Sequence, residues 1–270
     1  MNAGDSEKKI VAVIVEGASE IRCLKPVLSS LYDKMRPSYR VEFPFMEEDG
    51  SKVWGDFTSK NGIKPANIFG CMNKLYIKPL LRRNGNLSPD CIKEIVHIID
   101  MDGAYIDDSK IEENPASAHF IYKTNKLLVP NVNAAIERNE KKRANIDYLC
   151  ARNSVFIKTG LGMDEKTFQI PYSIYFFSSN LDHVLHGDAN IASGFEKVKL
   201  AEALAGKYED APETFLTAIE SLSGTLVNAS YEESWRYIRE RGDNSLHPHT
   251  NINLLLKKII NERGNLDYEK

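Results

Sequence analysis

KIVAVIVE, residues Lys9–Glu16, is the stretch that decides the fold. It is a short apolar run rich in β-branched Val and Ile, and it stops at Glu16-Gly17. Such runs suit a strand buried on both faces, as in a parallel sheet. Directly after it, Ile21, Leu24, Val27, Leu28 and Leu31 recur at helical spacing. Ser19 is placed to cap that helix. The opening unit therefore reads as strand, tight glycine turn, helix.

The pattern returns downstream. Ile92–Ile99, IKEIVHII, is a second buried-type strand, and it runs into Asp100-Met101-Asp102-Gly103. Ile170–Phe177, IPYSIYFF, is a third and stops at Ser178-Ser179-Asn180. Tyr39–Met46, YRVEFPFM, is a further strand candidate weakened by Pro44. Helical spacing predicts helices over Asn67–Arg82, Asn131–Leu149, Lys197–Tyr208, Thr214–Leu222, Ser230–Arg239 and Ile252–Ile260. Glu47–Pro65 reads as a polar loop and Asp107–His119 as a surface excursion. Alternating strands and helices predict an α/β fold: a mostly parallel sheet flanked by helices, with a helix-rich C-terminal extension. The expected division is a core over residues 1–190 and a helical region over 191–270 packed on it.

Composition bounds the function. The chain has 270 residues, 42% hydrophobic and 27% charged, too apolar for disorder over its whole length. No apolar run reaches the roughly 18 residues of a membrane span. The first ten residues, MNAGDSEKKI, lack the apolar stretch of a signal peptide, so a cytoplasmic protein is expected. A formal net charge of -3 argues against a protein that coats nucleic acid by charge alone. It leaves room for an enzyme with a local basic groove, or one whose metal ions supply the positive charge. It also points to a partner or a homo-oligomer completing the binding surface. Cys23, Cys71, Cys91 and Cys150 are scattered with no CxxC pair, which disfavours a zinc ribbon.

Two apolar strands end in carboxylates. In an open parallel sheet, ligands bind outside the carboxyl ends of the strands. If these two strands are neighbours, Glu16, Asp100 and Asp102 meet there. Converging carboxylates repel and raise one another's pKa, and a divalent cation relieves that repulsion. Oxygen ligands without Cys or His favour Mg²⁺ or Mn²⁺, the ions used on phosphates.

Val15-Glu16-Gly17 with Ser19-Glu20 and a helix, followed by Ile98-Ile99-Asp100-Met101-Asp102, resembles the TOPRIM domain of topoisomerases, DnaG-type primases, OLD-family nucleases and small RNases. The resemblance implies Glu16 as the family's glutamate, Asp100 and Asp102 as its DxD pair, and Mg²⁺ as cofactor. The long separation of the two motifs implies an insertion within Glu47–Asp90. Ser179–His186 is similar to the asparagine-proline-x-phenylalanine-glutamate segment of RloB-like TOPRIM proteins of bacterial defence islands. The proline is absent here, and Asp182 stands where that family has glutamate. His247-Pro248-His249-Thr250-Asn251-Ile252 resembles the same family's late proline-x-threonine turn. A role in anti-phage defence, and an ABC-type ATPase as partner, are implied by this resemblance alone.

The remaining candidates are weaker. Glu20 is either a first-turn acid favoured by the helix dipole or a further ligand or catalytic acid. Asp182 is either a helix N-terminal acid or a metal ligand. His183 and His186 lack an HExxH frame; His247 and His249 lie in a polar turn and are candidates to line a site. Lys158-Thr159-Gly160-Leu161-Gly162 is not a nucleotide-binding loop, but Lys158 could contact a phosphate. Lys78, Arg82, Arg83 and the run Arg138–Arg143 are candidate polyanion contacts, or else solvated helix faces. Trp54 and Trp235 form no evident stacking platform. The expected activity is Mg²⁺-dependent phosphodiester hydrolysis of nucleic acid, with DNA, tRNA and other RNA all open. The alternatives are a non-catalytic regulatory protein that binds a partner or nucleotide through the same site, and a small-molecule phosphohydrolase or phosphotransferase.

Overall fold

A computed structural model describes residues 8–48, 51–159, 165–191, 194–222, 224–240 and 242–266. The opening run forms β1 (Lys9–Ile14), followed by α1 (Ala18–Met35) and β2 (Tyr39–Glu42). The next stretch holds β3 (Met46–Glu48), β4 (Ser51–Val53), α2 (Ile68–Met72), a π-helical turn (Asn73–Ile77) and α3 (Lys78–Arg83). Then come β5 (Ile92–Asp100), three short strands β6 (Ile111–Glu113), β7 (Ile121–Tyr122) and β8 (Leu127–Val129), and α4 (Val132–Cys150). The chain continues through β9 (Ser154–Thr159), β10 (Lys166–Phe177), α5 (Leu181–His186), α6 (Gly194–Tyr208), α7 (Pro212–Leu222), α8 (Tyr231–Arg239) and α9 (Ile252–Leu266).

The main sheet has five strands in the order β2-β1-β5-β10-β9. All neighbours pair in parallel except β9, which runs antiparallel to β10. The fold is thus the α/β sheet with flanking helices that the sequence predicts. Its two faces follow from strand alternation. Val11, Val13 and Val15 enter one core with residues of α1, α7 and α9, whereas Ile10, Ala12 and Ile14 enter the other with α2, α3 and Trp235 of α8. A β-branched side chain buried this way contributes about 1.5–3 kcal/mol, so a strand buried on both faces anchors the domain. No helix among the described residues is long and apolar enough to cross a membrane.

Several local expectations are corrected. Glu47–Pro65 is not wholly loop, because Met46 to Glu48 pair with Val53 to Ser51 as a hairpin. Asp107–His119 contains β6, which joins β8 and β7 in a small sheet over its own core of Ile106, Ile111 and Leu127. Strand β9 goes unread in the sequence because only Val155 and Ile157 are buried while Phe156 is 62% exposed, too short an alternation to count. Ser19 does not cap α1; Gly17 is the N-cap and no side chain bonds there. The predicted helix over Asn67–Arg82 is interrupted by its π-turn. Gly160–Gly162, weighed as a flexible phosphate loop, lie outside the described residues.

β9 covers only the first half of β10, as far as Pro171. Beyond it the outer edge of β10 is closed piecemeal. The Tyr172 N–H donates to Asn153 O at 2.8 Å. The Tyr231 hydroxyl donates to Ile174 O at 2.8 Å. Asn251 Oδ1 accepts from the Phe176 N–H at 2.9 Å, and Thr250 Oγ1 donates to Phe176 O at 2.6 Å. The Ser178 N–H reaches His249 O at 2.8 Å. Every second residue is served, as strand geometry requires, and each group left unpaired and buried would cost about 1–3 kcal/mol.

Candidate metal centre

The ends of β1, β5 and β10 meet. β1 and β5 are direct neighbours, with Ile14 opposite His97, and Phe177 stands opposite Asp100. Past their last paired residues, Met101 N–H donates to Phe177 O at 2.8 Å and Asp102 N–H to Ser179 O at 2.7 Å. Asp102 and Ser179 both adopt φ of 50°, a conformation that costs a non-glycine residue energy and is held by these bonds. The turn that carries Asp102 is thus fixed before any ligand arrives.

Asp102 is the hub. Its Oδ1 accepts from the Tyr122 hydroxyl at 3.1 Å. Its Oδ2 accepts from Arg138 at 2.6 Å and from Lys142 at 2.7 Å. Lys142 is fully buried, and its Nζ also lies 2.9 Å from Asp56 and 3.6 Å from Glu16. Asp56 comes from the segment after β4, where it accepts from the Thr58 N–H at 2.9 Å, Thr58 Oγ1 at 2.6 Å and the Ser59 N–H at 3.0 Å. Glu16, Asp56 and Asp102 offer oxygens within 4.8 Å of one another, the one such metal-sized group among the described residues.

A second set of acids adjoins the first. Asp100 accepts from the Leu181 N–H at 3.0 Å, at the start of α5. Glu20 folds back against Gly17, where a Cβ would stand 2.5 Å from its carboxylate oxygen. Asp182 is buried and pairs with Lys197 at 2.9 Å. Asp100, Asp102, Tyr122 and Lys197 line an open cleft of about 530 Å³, with His119 and Phe120 on its rim. The apolar hollow of α6 and α7, about 490 Å³, holds none of these acids.

Electrostatics separate the acids. Burial, then Asp56, push the Glu16 carboxyl well above the usual range against the pull of Lys142. Burial, then Glu20 and Asp102, do the same to Asp100. Burial raises Glu20, with Asp182 adding to it. Burial alone would raise Asp56 too, but the Lys142 ammonium and the Ser59 and Thr58 bonds override it and hold that carboxyl well below the usual range. Burial works against the Lys142 ammonium, yet Asp102, Asp56 and Glu16 keep it charged. Six carboxylates therefore face three cations, Lys142, Arg138 and Lys197. One oxygen each of Glu16 and Glu20 is buried with no hydrogen bond. A buried negative excess with unsatisfied oxygens fits a hard divalent cation.

The structure brings together Glu16, Glu20, Asp100, Asp102 and Asp182 as one cluster. Of the basic candidates it brings in Arg138 and Lys142, from the run Arg138–Arg143, but not Lys78, Arg82, Arg83 or Lys158. Arg82 and Arg83 end α3, and the adjacent Asn84 bonds Arg40 on β2, opposite Ile10 near the start of β1. Arg83 stacks on Phe45 at 3.7 Å, and Lys78 lies exposed at the start of α3. Lys158 pairs with Glu165 at 2.7 Å and sits opposite Thr167, about 30 Å along β10 from its acidic end. His183 and His247 line a smaller polar hollow that shares Tyr122 and Asn190 with the cleft.

Sequence reasoning missed Asp56, Tyr122 and Lys197, and it took Arg138 and Lys142, within the run Arg138–Arg143, as polyanion contacts or a solvated face, not as buried partners of Asp102. The run Arg138–Arg143 is not one solvated surface: Arg138 and Lys142, one turn apart, point inward, while Lys141 bonds Asn61 at 3.0 Å. The available signal was Asn139 and Asn145 beside them, which are also fully buried, so that α4 carries a polar buried stripe. For Asp56 the signal was Asp-Phe-Thr-Ser, an Asx-turn sequence. No protein-family model, curated protein or solved structure matches the chain.

Proposed function

We propose that the chain is a divalent-metal-dependent nuclease that hydrolyses phosphodiester bonds of DNA or RNA, tRNA among the candidates. The observation that carries this reading is the excess of acids over cations at the cleft: Asp100 and Asp102 open onto it, and Glu16 and Glu20 behind them each keep a buried oxygen that accepts no hydrogen bond. Asp100 and Asp102 would hold Mg²⁺ or Mn²⁺, with Glu16 and Glu20 completing the negative shell. When bound, the ion supplies charge stabilisation to the phosphate and leaving oxygen. Glu16, whose carboxyl burial shifts upward, is suited to take the proton from the attacking water. The water oxygen then bonds to phosphorus as the P–O bond to the leaving oxygen breaks, and that oxygen takes up a proton. Lys197 on the cleft wall is placed to meet a phosphate oxygen. The TOPRIM-like Glu16 and Asp100-x-Asp102 pattern supports the same chemistry. The RloB-like segments support a place as effector in anti-phage defence, beside an ABC-type ATPase, in the cytoplasm.

The test is cleavage of plasmid, single-stranded DNA and total tRNA in Mg²⁺ and in Mn²⁺, for the wild type and Asp100→Asn. The wild type should cut one of these and the folded variant none. A folded wild type that binds neither ion sinks the reading. A second reading, a non-catalytic regulatory protein binding a partner through the same cleft, is favoured by one observation: Asp102 is already paired with Lys142, Arg138 and Tyr122. Ion binding without cleavage of any polymer is its signature.

A further inference from the structure

We propose that Lys142 is a built-in cation that takes the place of a second divalent ion at Glu16, Asp56 and Asp102, so that the native chain admits no more than one ion at the cleft. This deepens the metal-dependent reading above and rests on it only for the first ion.

The argument is one of occupied space and used lone pairs. An octahedral Mg²⁺ needs oxygens at about 2.0–2.1 Å around a common centre. The three carboxylates that could supply that centre lie within 4.8 Å of one another. The Lys142 ammonium already stands among them, 2.7, 2.9 and 3.6 Å from their oxygens. An ionised carboxylate has about four acceptor positions. Asp56 uses its own on Thr58, Ser59 and Lys142. Asp102 uses three, on Tyr122, Arg138 and Lys142. Only Glu16 of the three keeps an oxygen with no hydrogen bond.

The charge also matches. Arg138, one turn before Lys142 on α4, reaches the same Asp102 oxygen. Together the two side chains bring the two positive charges that a divalent ion would bring. Nor can Lys142 swing aside, because its side chain has no exposed surface and its helix is pinned within one turn of it. Asn145 Nδ2 donates to Thr58 O at 2.7 Å, which ties α4 to the Asp56 turn, and Arg143 donates to Ala104 O at 2.8 Å. A tethered ammonium bonded to two carboxylates and 3.6 Å from a third is a permanent occupant, where a dissolved ion would exchange.

The experiment counts Mn²⁺ per full-length chain, by calorimetric titration checked by electron paramagnetic resonance, in the wild type, Lys142→Met and Asp56→Asn. The expected result is at most one ion in the wild type and one more in Lys142→Met. If Lys142→Met is unfolded alone, refolding by Mn²⁺ counts as that gained ion. No ion in the wild type but one in Lys142→Met upholds this proposal and removes the metal-dependent function. Two ions in the wild type, one of them lost in Asp56→Asn, overturn it. So does a folded Lys142→Met that gains none. Should Lys142→Met stay unfolded at every Mn²⁺ concentration, the wild-type count decides: one or none upholds the proposal, two overturns it.

Discussion

His97→Gln should remove a large part of the protein's acid sensitivity. His97 is fully buried in β5, with Nδ1 2.9 Å from the Tyr172 hydroxyl and Nε2 without a hydrogen bond. Burial pushes the imidazole down to about 3; Asp56 opposes the shift and Lys142 adds to it. In the unfolded chain the same group titrates near 6.5. Between these values the unfolded chain binds a proton that the folded chain refuses. The contribution of neutral His97 is therefore complete above about pH 6.5 and is lost as pH falls toward 3. At pH 4 the difference is some 2.5 pH units, or about 3 kcal/mol at 1.36 kcal/mol per unit. Urea unfolding at pH 7 and pH 4 measures it: the wild type should lose about 3 kcal/mol more than His97→Gln. The acidic cluster titrates in both proteins and cancels in the comparison. Equal pH dependence in the two, or the His97 imidazole resonance of the folded wild type, assigned by its loss in His97→Gln, titrating near 6.5, would refute the reasoning.

Three further outcomes are expected. Asp100→Asn should raise the unfolding free energy by about 1 kcal/mol while abolishing metal-dependent cleavage, because it relieves repulsion among buried acids that only function requires; a destabilised variant contradicts this. Gly17→Ala should cost under about 1 kcal/mol, because the new Cβ meets only the Glu20 carboxylate at 2.5 Å and that side chain can turn away, and the cost should vanish in Glu20→Ala, which a double-mutant cycle by thermal unfolding reads directly. Tyr231→Phe should lose about 1–2 kcal/mol in denaturant unfolding through the stranded Ile174 carbonyl; an unchanged midpoint would mean that water replaces the hydroxyl.

The sheet was legible because β1 and β5 are apolar on both faces, a pattern that needs no knowledge of partners. The strand-end acids were legible for the same reason: Glu16, Asp100 and Asp102 stand where such runs stop. What was hidden depends on which side of a helix or loop faces inward. Lys142 sits in a run of charges that composition reads as surface, yet its burial is set by three acids from distant segments. Asp56 lies in a polar excursion with no periodicity, and its place is fixed by an Asx turn and by Lys142. Both are non-local pairings, and each partner looks ordinary without the other. The His247–Asn251 turn was read as a candidate wall of a site; part of it does line the small hollow, but Thr250 and Asn251 serve backbone groups of β10.

That service has a consequence for synthesis. Asn251 and Thr250 emerge from the ribosome roughly 70 residues after Phe177, about 4–14 s later at ordinary elongation rates. Until then the outer half of β10 is an exposed edge able to recruit any extended segment nearby. A nascent chain stopped after α7 would carry all five strands of the main sheet and all six acids, yet it would still lack the residues that complete that edge. Premature termination in this stretch should therefore yield chains that aggregate or need a chaperone, and the acidic centre should assemble only once the C-terminal segment is in place.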